Sequence, residues 1–165
     1  MRHSLSALEK APEDYRGFAV IGGSGGYDIA ENLIGKVLGE LCLDTPFGKA
    51  AGIRFFDLES AGGIVAFISR HGWSGYRITA PDVNYRANIW ALKEIGTTRI
   101  LSWSGPGAID PDFTPGDYIL PDDLIDLTRK RENTFFSGTG LGFIRQYPVF
   151  CPTMREMLVK GLESL

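Results

Sequence analysis

The chain has 165 residues, of which 44% are hydrophobic and 22% are charged, and its formal net charge at pH 7 is −3. These values predict one soluble globular domain, or part of a larger one. The acidic balance argues against a general nucleic-acid surface, and no apolar run reaches the roughly 18 residues that a membrane-spanning helix needs.

The cysteine and histidine content argues against a metal centre. Cys42 and Cys151 are far apart and fit no zinc spacing, and only two histidines, His3 and His71, are present. We expect both cysteines to be reduced packing residues, Cys151 alternatively lining a site, in a cytoplasmic protein that binds no metal and no membrane.

Short apolar runs and two helical patterns alternate along the chain. After a flexible polar lead-in over residues 1–15, strands are predicted at 18–21, 36–43, 53–58, 64–68, 99–103 and 118–120. Turn-prone segments lie at 44–48, 61–63 and 115–117. Such alternation predicts an α/β fold with a largely parallel or mixed central sheet flanked by helices.

The two helices have clear limits in the sequence. The first is predicted over 82–95, with Asp82 as its amino-terminal cap and Gly96 after its end. Pro152 begins the second, in which apolar residues recur at intervals of three and four up to Leu165. Because this helix has no following strand or polar tail, we expect the chain to be cut short or completed by a partner.

Polar side chains and glycines follow three of the predicted strands. Ligands bind at the carboxyl ends of strands in open α/β sheets, so we expect these loops to form one site for a small dianion such as inorganic phosphate. Arginine offers two parallel N–H groups to phosphate, and glycine-rich turns offer main-chain amides. If histidine chemistry occurs, His71 carries it. The residues are Ser24 in the segment 22–26, Arg70 with His71, and Ser104 with Gly105.

Each of these loops also has a purely structural interpretation. The Arg70-His71 pair can be an ordinary polar loop, and the segment 22–26 can be a tight turn. A dinucleotide fingerprint starting at Gly23 would need a third glycine where Asp28 stands, and the Gly-Lys-Ser/Thr of a nucleotide-triphosphate loop is absent. A nicotinamide-dinucleotide binder is therefore the weakest hypothesis.

A series of short motifs runs through the chain from about residue 18 to its end. In order, they are Ile21-Gly22-Gly23-Ser24-Gly25, Asp44-Thr45-Pro46-Phe47-Gly48, Arg70-His71-Gly72, the run from Val83 to Leu92, Pro115-Gly116-Asp117, Ile125-Asp126, Thr128-Arg129 and Phe150-Cys151-Pro152. Together they resemble the methylthioadenosine phosphorylase branch of the trimeric purine nucleoside phosphorylase family. The run from Val83 to Leu92 is the most specific of them.

The resemblance implies a nucleoside phosphorylase-like three-layer α/β/α fold, of which residues 16–165 are the incomplete amino-terminal part, in a homotrimer. It implies phosphorolysis of the N-glycosidic bond of a purine nucleoside, first of all 5′-methylthioadenosine, with inorganic phosphate as co-substrate and no cofactor. Arg70 and His71 are then catalytic residues. The phosphate-binding residues are Ser24, Arg70, His71, Ser104 and Gly105.

Two positions depart from that branch. Tyr76 stands where members of the branch usually carry a second histidine, and Phe143 stands where a neighbouring subunit commonly places a histidine over the 5′ end of the sugar. An aromatic residue at 143 is closer to the purine nucleoside phosphorylase branch, and we expect Phe143 to contact substrate. No residue of the chain is assigned to protonation of the leaving purine, so a non-catalytic phosphate-binding or assembly module of the same fold is the alternative function.

Overall fold

The structure is a computed structural model that describes residues 5–26, 35–58, 62–141 and 145–164. The chain divides into two compact units, Met1–Pro106 and Gly107–Leu165. Within the described ranges, no helix is both long and apolar enough to cross a bilayer.

The first unit contains a five-stranded mixed sheet. Its strands are β1 (Tyr15–Gly22), β2 (Lys36–Leu41), β5 (Ile53–Leu58), β6 (Gly63–Ser69) and β7 (Arg99–Trp103), in the order β2-β5-β6-β1-β7. β1 pairs with β6 and β7 in parallel, whereas β5 pairs with β2 and β6 in antiparallel orientation. Two short strands, β3 (Asp44–Thr45) and β4 (Gly48–Lys49), form a hairpin at the predicted turn. The mixed α/β sheet expected from the sequence is confirmed.

The central strands of the sheet are stabilised by apolar packing on both of its faces. β6 is a nearly continuous apolar run and is buried over most of its length, as expected for a strand covered on both sides. On one face, Phe55 and Ile68 pack with Leu92 of the helix. On the other face, Phe56 and Phe67 pack with Trp73.

The first helix, α1 (Tyr85–Glu94), begins later than the sequence predicted. Asp82 is not its cap, because Asp82 closes a separate 3-10 turn (Ala80–Asp82) and accepts a hydrogen bond from the Thr79 hydroxyl. Asn84 is the cap instead, and its Oδ1 accepts from the Ala87 N–H at 3.2 Å. Two good cap residues lie within three positions, and sequence alone does not separate them. Gly96 ends the helix with a φ of 81°, as predicted.

In the second unit, helix α2 (Pro152–Glu163) is confirmed, but the predicted strand 118–120 is wrong. The turn before it is present, since the Asp117 N–H donates to the Thr114 carbonyl at 3.1 Å. Tyr118 and Ile119 are exposed after this turn, and a strand requires a neighbour to complete its hydrogen bonds. None of the described residues pairs with this segment in a ladder.

Two further expectations, about the lead-in and the cysteines, are contradicted by the structure. Part of the lead-in over 1–15 is joined to the sheet, because Ala7 forms a parallel bridge with Glu40 and Leu8 packs against the core. The cysteines are not packing residues: Cys42 and Cys151 are both exposed and free. Although Cys42 is exposed overall, partial burial of its sulfur, and then the nearby Glu40 carboxylate, raise the pKa of this thiol.

Candidate functional site

The three loops singled out in the sequence begin at the same edge of the sheet. Gly22, the last residue of β1, lies in register with Ser69 at the end of β6 and with Trp103 at the end of β7. All three strands are parallel, so their carboxyl ends point the same way. The residues that follow each strand are therefore neighbours in space although they are far apart in the chain.

Gly23 lies between the other two loops. A Cβ built on Gly23 would be 2.6 Å from Arg70 Nη1, 2.7 Å from Arg70 Nη2 and 2.8 Å from the Ser104 Cβ. The Arg70 guanidinium and the Ser104 side chain thus both contact the main chain of Gly23. Main-chain bonds fix the arrangement, because the Gly23 N–H donates to the Trp103 carbonyl at 2.7 Å and the Arg70 N–H donates to the Gly22 carbonyl at 3.1 Å.

The charge at this edge comes from Arg70, whose side chain is half-buried. Among the described residues, its guanidinium takes part in no ion pair and no hydrogen bond. A guanidinium beside main-chain atoms, without a carboxylate partner, suits a bound oxyanion that accepts two parallel hydrogen bonds.

The loop after β6 turns sharply and encloses His71. Ser69 Oγ donates to the Gly72 carbonyl at 2.7 Å, and the Gly72 N–H donates to the Ser69 carbonyl at 3.0 Å. Gly72 has a φ of 102°, which favours glycine at this position. The His71 carbonyl accepts from the N–H groups of Arg77 (3.0 Å) and Ile78 (3.2 Å), so the loop closes on itself.

The His71 ring is held on two sides. It is 1% exposed, its Nδ1 lies 2.8 Å from the Ile78 carbonyl, and it stacks on the Tyr76 ring at a centroid distance of 4.2 Å. A carbonyl can only accept, so Nδ1 carries a proton. Nε2 is therefore an acceptor in the neutral ring and a donor only in the imidazolium form.

The glycine-rich loop after β1 uses part of its hydrogen-bonding capacity within the protein. The Gly23 amide bonds to the Trp103 carbonyl, and the Gly26 amide donates to the Gly23 carbonyl at 3.0 Å. In the part of the chain that the structure describes, the amides of Ser24 and Gly25 donate to no main-chain carbonyl. These two amides, rather than the whole loop, are the ones available to an anion.

The structure gives the positions of most of the remaining predicted site residues. Ser24 and Ser104 are exposed at the same sheet edge, and Gly105 follows Ser104. Phe143, predicted to contact substrate, lies outside the described residues. The described ranges contain no group of three or more His, Cys, Asp or Glu side chains that could hold a metal ion.

The motif residue Asp126 belongs to the second unit. Its carboxylate accepts from the Thr128 N–H at 2.8 Å, and hydrogen bonds from the side chain and then the main chain of Thr128 lower the pKa of Asp126.

The arrangement provides one cation, two hydroxyl groups and main-chain amides at the carboxyl end of parallel strands. This set can bind and orient a small oxyanion. The contacts of two residues already noted in the sequence, Gly23 with Arg70 and Tyr76 with His71, were not predicted. The signal for Gly23 was the doubled glycine directly after the strand, and the signal for Tyr76 was an aromatic residue five positions after His71.

Comparison with known proteins shows the family to which this chain is similar. A model of the Phosphorylase superfamily matches residues 18–165. S-methyl-5′-thioadenosine phosphorylase from Saccharolobus solfataricus is 37% identical over 147 residues, which cover 88% of this chain and 52% of that protein. A probable 6-oxopurine nucleoside phosphorylase from Thermococcus kodakarensis is 36% identical over 154 residues, covering 89% of this chain and 55% of that protein.

Solved structures agree with this match. Methylthioadenosine phosphorylase from Schistosoma mansoni in complex with adenine superposes with a TM-score of 0.78 at 31% identity, covering 89% of this chain and 50% of that one. The chain thus spans about half the length of the relatives that it matches.

Proposed function

The chain belongs to the phosphorylase superfamily, and on that premise we propose that its candidate site holds inorganic phosphate for the phosphorolysis of a purine nucleoside. One observation carries the proposal: the Arg70 guanidinium and Ser104 meet at the Gly23 main chain, where three parallel strands end. The guanidinium there has no counter-ion among the described residues. Such a site is complementary to a phosphate dianion.

In the proposed reaction, the phosphate held in this way is the nucleophile. A phosphate oxygen forms a bond to the anomeric carbon of the sugar while the carbon–nitrogen bond to the purine breaks. The electron pair of that bond leaves with the purine, which takes up a proton from water, and the products are free purine and a ribose 1-phosphate derivative. Because the transition state resembles an oxocarbenium ion, a fixed dianion beside the sugar both stabilises positive charge and supplies the nucleophile.

Each residue has a distinct part in this proposal. Arg70 is the electrostatic anchor, and the hydroxyls of Ser24 and Ser104, together with the Gly105 amide, complete the phosphate shell. His71 stands beside the phosphate and donates from Nε2 when its ring is protonated. The reaction needs no cofactor and no covalent enzyme intermediate.

The preferred nucleoside is the finer part of the proposal. We infer 5′-methylthioadenosine, because relatives named S-methyl-5′-thioadenosine phosphorylase match this chain at 35–38% identity. A relative named for 6-oxopurine nucleosides matches at 36%, so identity alone does not select the purine. Phe143 is the residue we expect to contact substrate at the 5′ end of the sugar.

We also propose a cytoplasmic homotrimer. Two free cysteines suit a reducing compartment. In the second unit, large apolar side chains, among them Ile109, Ile125 and Leu127, are more than 75% exposed, and surface of this kind favours burial against another subunit. Light scattering coupled to size-exclusion chromatography measures the oligomeric mass directly, and a monomer at micromolar concentration would contradict the trimer.

The test of the reaction is phosphate-dependent release of free purine by the 165-residue chain, measured by liquid chromatography. 5′-Methylthioadenosine, adenosine, inosine and guanosine are compared with and without phosphate. We expect release only with phosphate, and Arg70→Lys should lower kcat/KM by about 10- to 100-fold, because a charged hydrogen bond contributes about 1.5–3 kcal/mol. Arg16→Lys is the matched control, since Arg16 is exposed near the opposite end of β1.

Two results would contradict the reaction in different ways. Phosphate binding by calorimetry without purine release from any of the four nucleosides would favour the non-catalytic phosphate-binding module. A chain that neither binds phosphate nor releases purine would contradict the phosphate site itself.

A further inference from the structure

Gly23 differs from Gly25, the next glycine of its loop, in what it requires. Gly25 has a φ of 82°, and a Cβ built there would meet nothing within 4 Å. Gly23 has a φ outside the left-handed region, yet a Cβ built there would lie 2.6 and 2.7 Å from the two terminal nitrogens of Arg70. Position 25 therefore needs glycine for its conformation, whereas position 23 needs it for space.

The groups around Gly23 differ in how easily they move. The main chains of Gly23, Arg70 and Trp103 are tied together by two hydrogen bonds, which keep the three strand ends in place. The Arg70 guanidinium is the end of a flexible side chain and has no partner among the described residues. A Cβ at position 23 would meet both this flexible guanidinium and the Ser104 Cβ, at 2.8 Å, which moves only with its own main chain. The guanidinium is the closer of the two and the easier to displace.

The position of that guanidinium decides how well it can bind an oxyanion. Two parallel hydrogen bonds to one phosphate require the planar group to face the anion within about 0.5 Å of its productive position. We propose that the bare main chain of Gly23 is the surface against which Arg70 is positioned, so that Gly23 sets the affinity of the site for phosphate through Arg70. The inference rests on the proposed phosphate site and makes Gly23 a positioning residue, not a catalytic one.

The experiment is a double-mutant cycle on the 165-residue chain, with inorganic phosphate as the ligand and calorimetry as the readout. Gly23→Ala should weaken phosphate binding by about 2- to 150-fold, the range expected for residues in contact. In an Arg70→Ala background, Gly23→Ala should cause a clearly smaller loss, limited to the remaining contact with the Ser104 Cβ. Gly63→Ala is the matched control, because Gly63 lies at the opposite end of β6, and an added Cβ would meet nothing within 4 Å.

The outcomes separate this inference from the proposed function. Equal phosphate affinity in Gly23→Ala and the wild-type chain would overturn the inference alone, as would an equal loss from Gly23→Ala with and without Arg70. A wild-type chain that binds no phosphate would overturn the phosphate site and the inference together. If circular dichroism shows that Gly23→Ala does not fold, it is combined with Arg70→Ala and, separately, with Ser104→Gly. Folding recovered by Arg70→Ala supports the guanidinium as the obstacle, and any other result overturns the inference.

Discussion

His71 offers a test that separates its structural role from its role in binding. The structure assigns its Nδ1–H to the Ile78 carbonyl at 2.8 Å and its ring face to Tyr76. His71→Ala removes both contacts, whereas His71→Asn places an amide N–H where Nδ1 stood and keeps the hydrogen bond. Both variants lack Nε2, the atom that faces a ligand in the proposed mechanism.

The magnitudes follow from these contacts. The hydrogen bond contributes about 0.5–1.5 kcal/mol and the aromatic stack about the same. Because the ring is almost fully buried, His71→Ala should lower the free energy of unfolding by about 1–3 kcal/mol. His71→Asn should recover about 1 kcal/mol of this loss, or about 2–4 °C in Tm for a chain of this size.

Urea unfolding followed by tryptophan fluorescence measures this difference, because Trp73, Trp90 and Trp103 all lie in the first unit. Phosphate calorimetry on the same variants measures the binding role, and both variants should lose affinity equally. The reasoning is refuted if the asparagine and alanine variants are equally unstable, or if the alanine variant stays within about 0.5 kcal/mol of wild type.

Three further predictions concern the stability of the sheet and helix of the first unit. Burial raises the pKa of Tyr15, so its contribution to stability is present below its unfolded pKa of about 10 and is lost as pH rises further. In urea unfolding at pH 8 and 10.5, Tyr15→Phe should therefore show a smaller loss of stability at the higher pH than the wild-type chain. An equal loss in both chains would contradict this. Asn84→Ala should lower the free energy of unfolding by about 1 kcal/mol, because the helix cap is lost, whereas Asp82→Ala should lower it by less than about 0.5 kcal/mol. The reverse order would show that Asp82 is the cap. Gly22→Ala should cost about 1–3 kcal/mol in thermal unfolding, because its Cβ would lie 2.6 Å from Phe67 Cζ, and adding Phe67→Leu should recover part of that loss rather than add to it.

The central strands were predictable because their sequences carry the evidence of burial. The apolar runs at 53–58 and 64–68 correspond to β5 and β6, which supply much of the core. The segment 118–120 is equally apolar, yet it forms no strand, since strand formation depends on a pairing partner that the local sequence does not specify. The choice between Asp82 and Asn84 as cap similarly depends on the preceding 3-10 turn.

The candidate site divides in the same way. The glycines, Arg70, and the two serines could be chosen from sequence because each follows an apolar run, and the parallel register of β6, β1 and β7 brings those strand ends together. The contact of Arg70 with Gly23 and the bond from His71 to Ile78 could not be predicted. Both depend on side-chain positions within a few ångströms, which no spacing along the chain encodes.

The pairing of β1 with both β6 and β7 also bears on how the chain folds. Gly23, Arg70 and Ser104 come from three segments separated by long stretches of chain, so the site has no local precursor and forms only when the sheet has assembled. An anion that binds only the assembled sheet stabilises it by mass action, by about 2.7 kcal/mol at a concentration of 100 times Kd. If the proposed site binds phosphate, phosphate at such a concentration shifts the folding equilibrium of the first unit toward the assembled sheet.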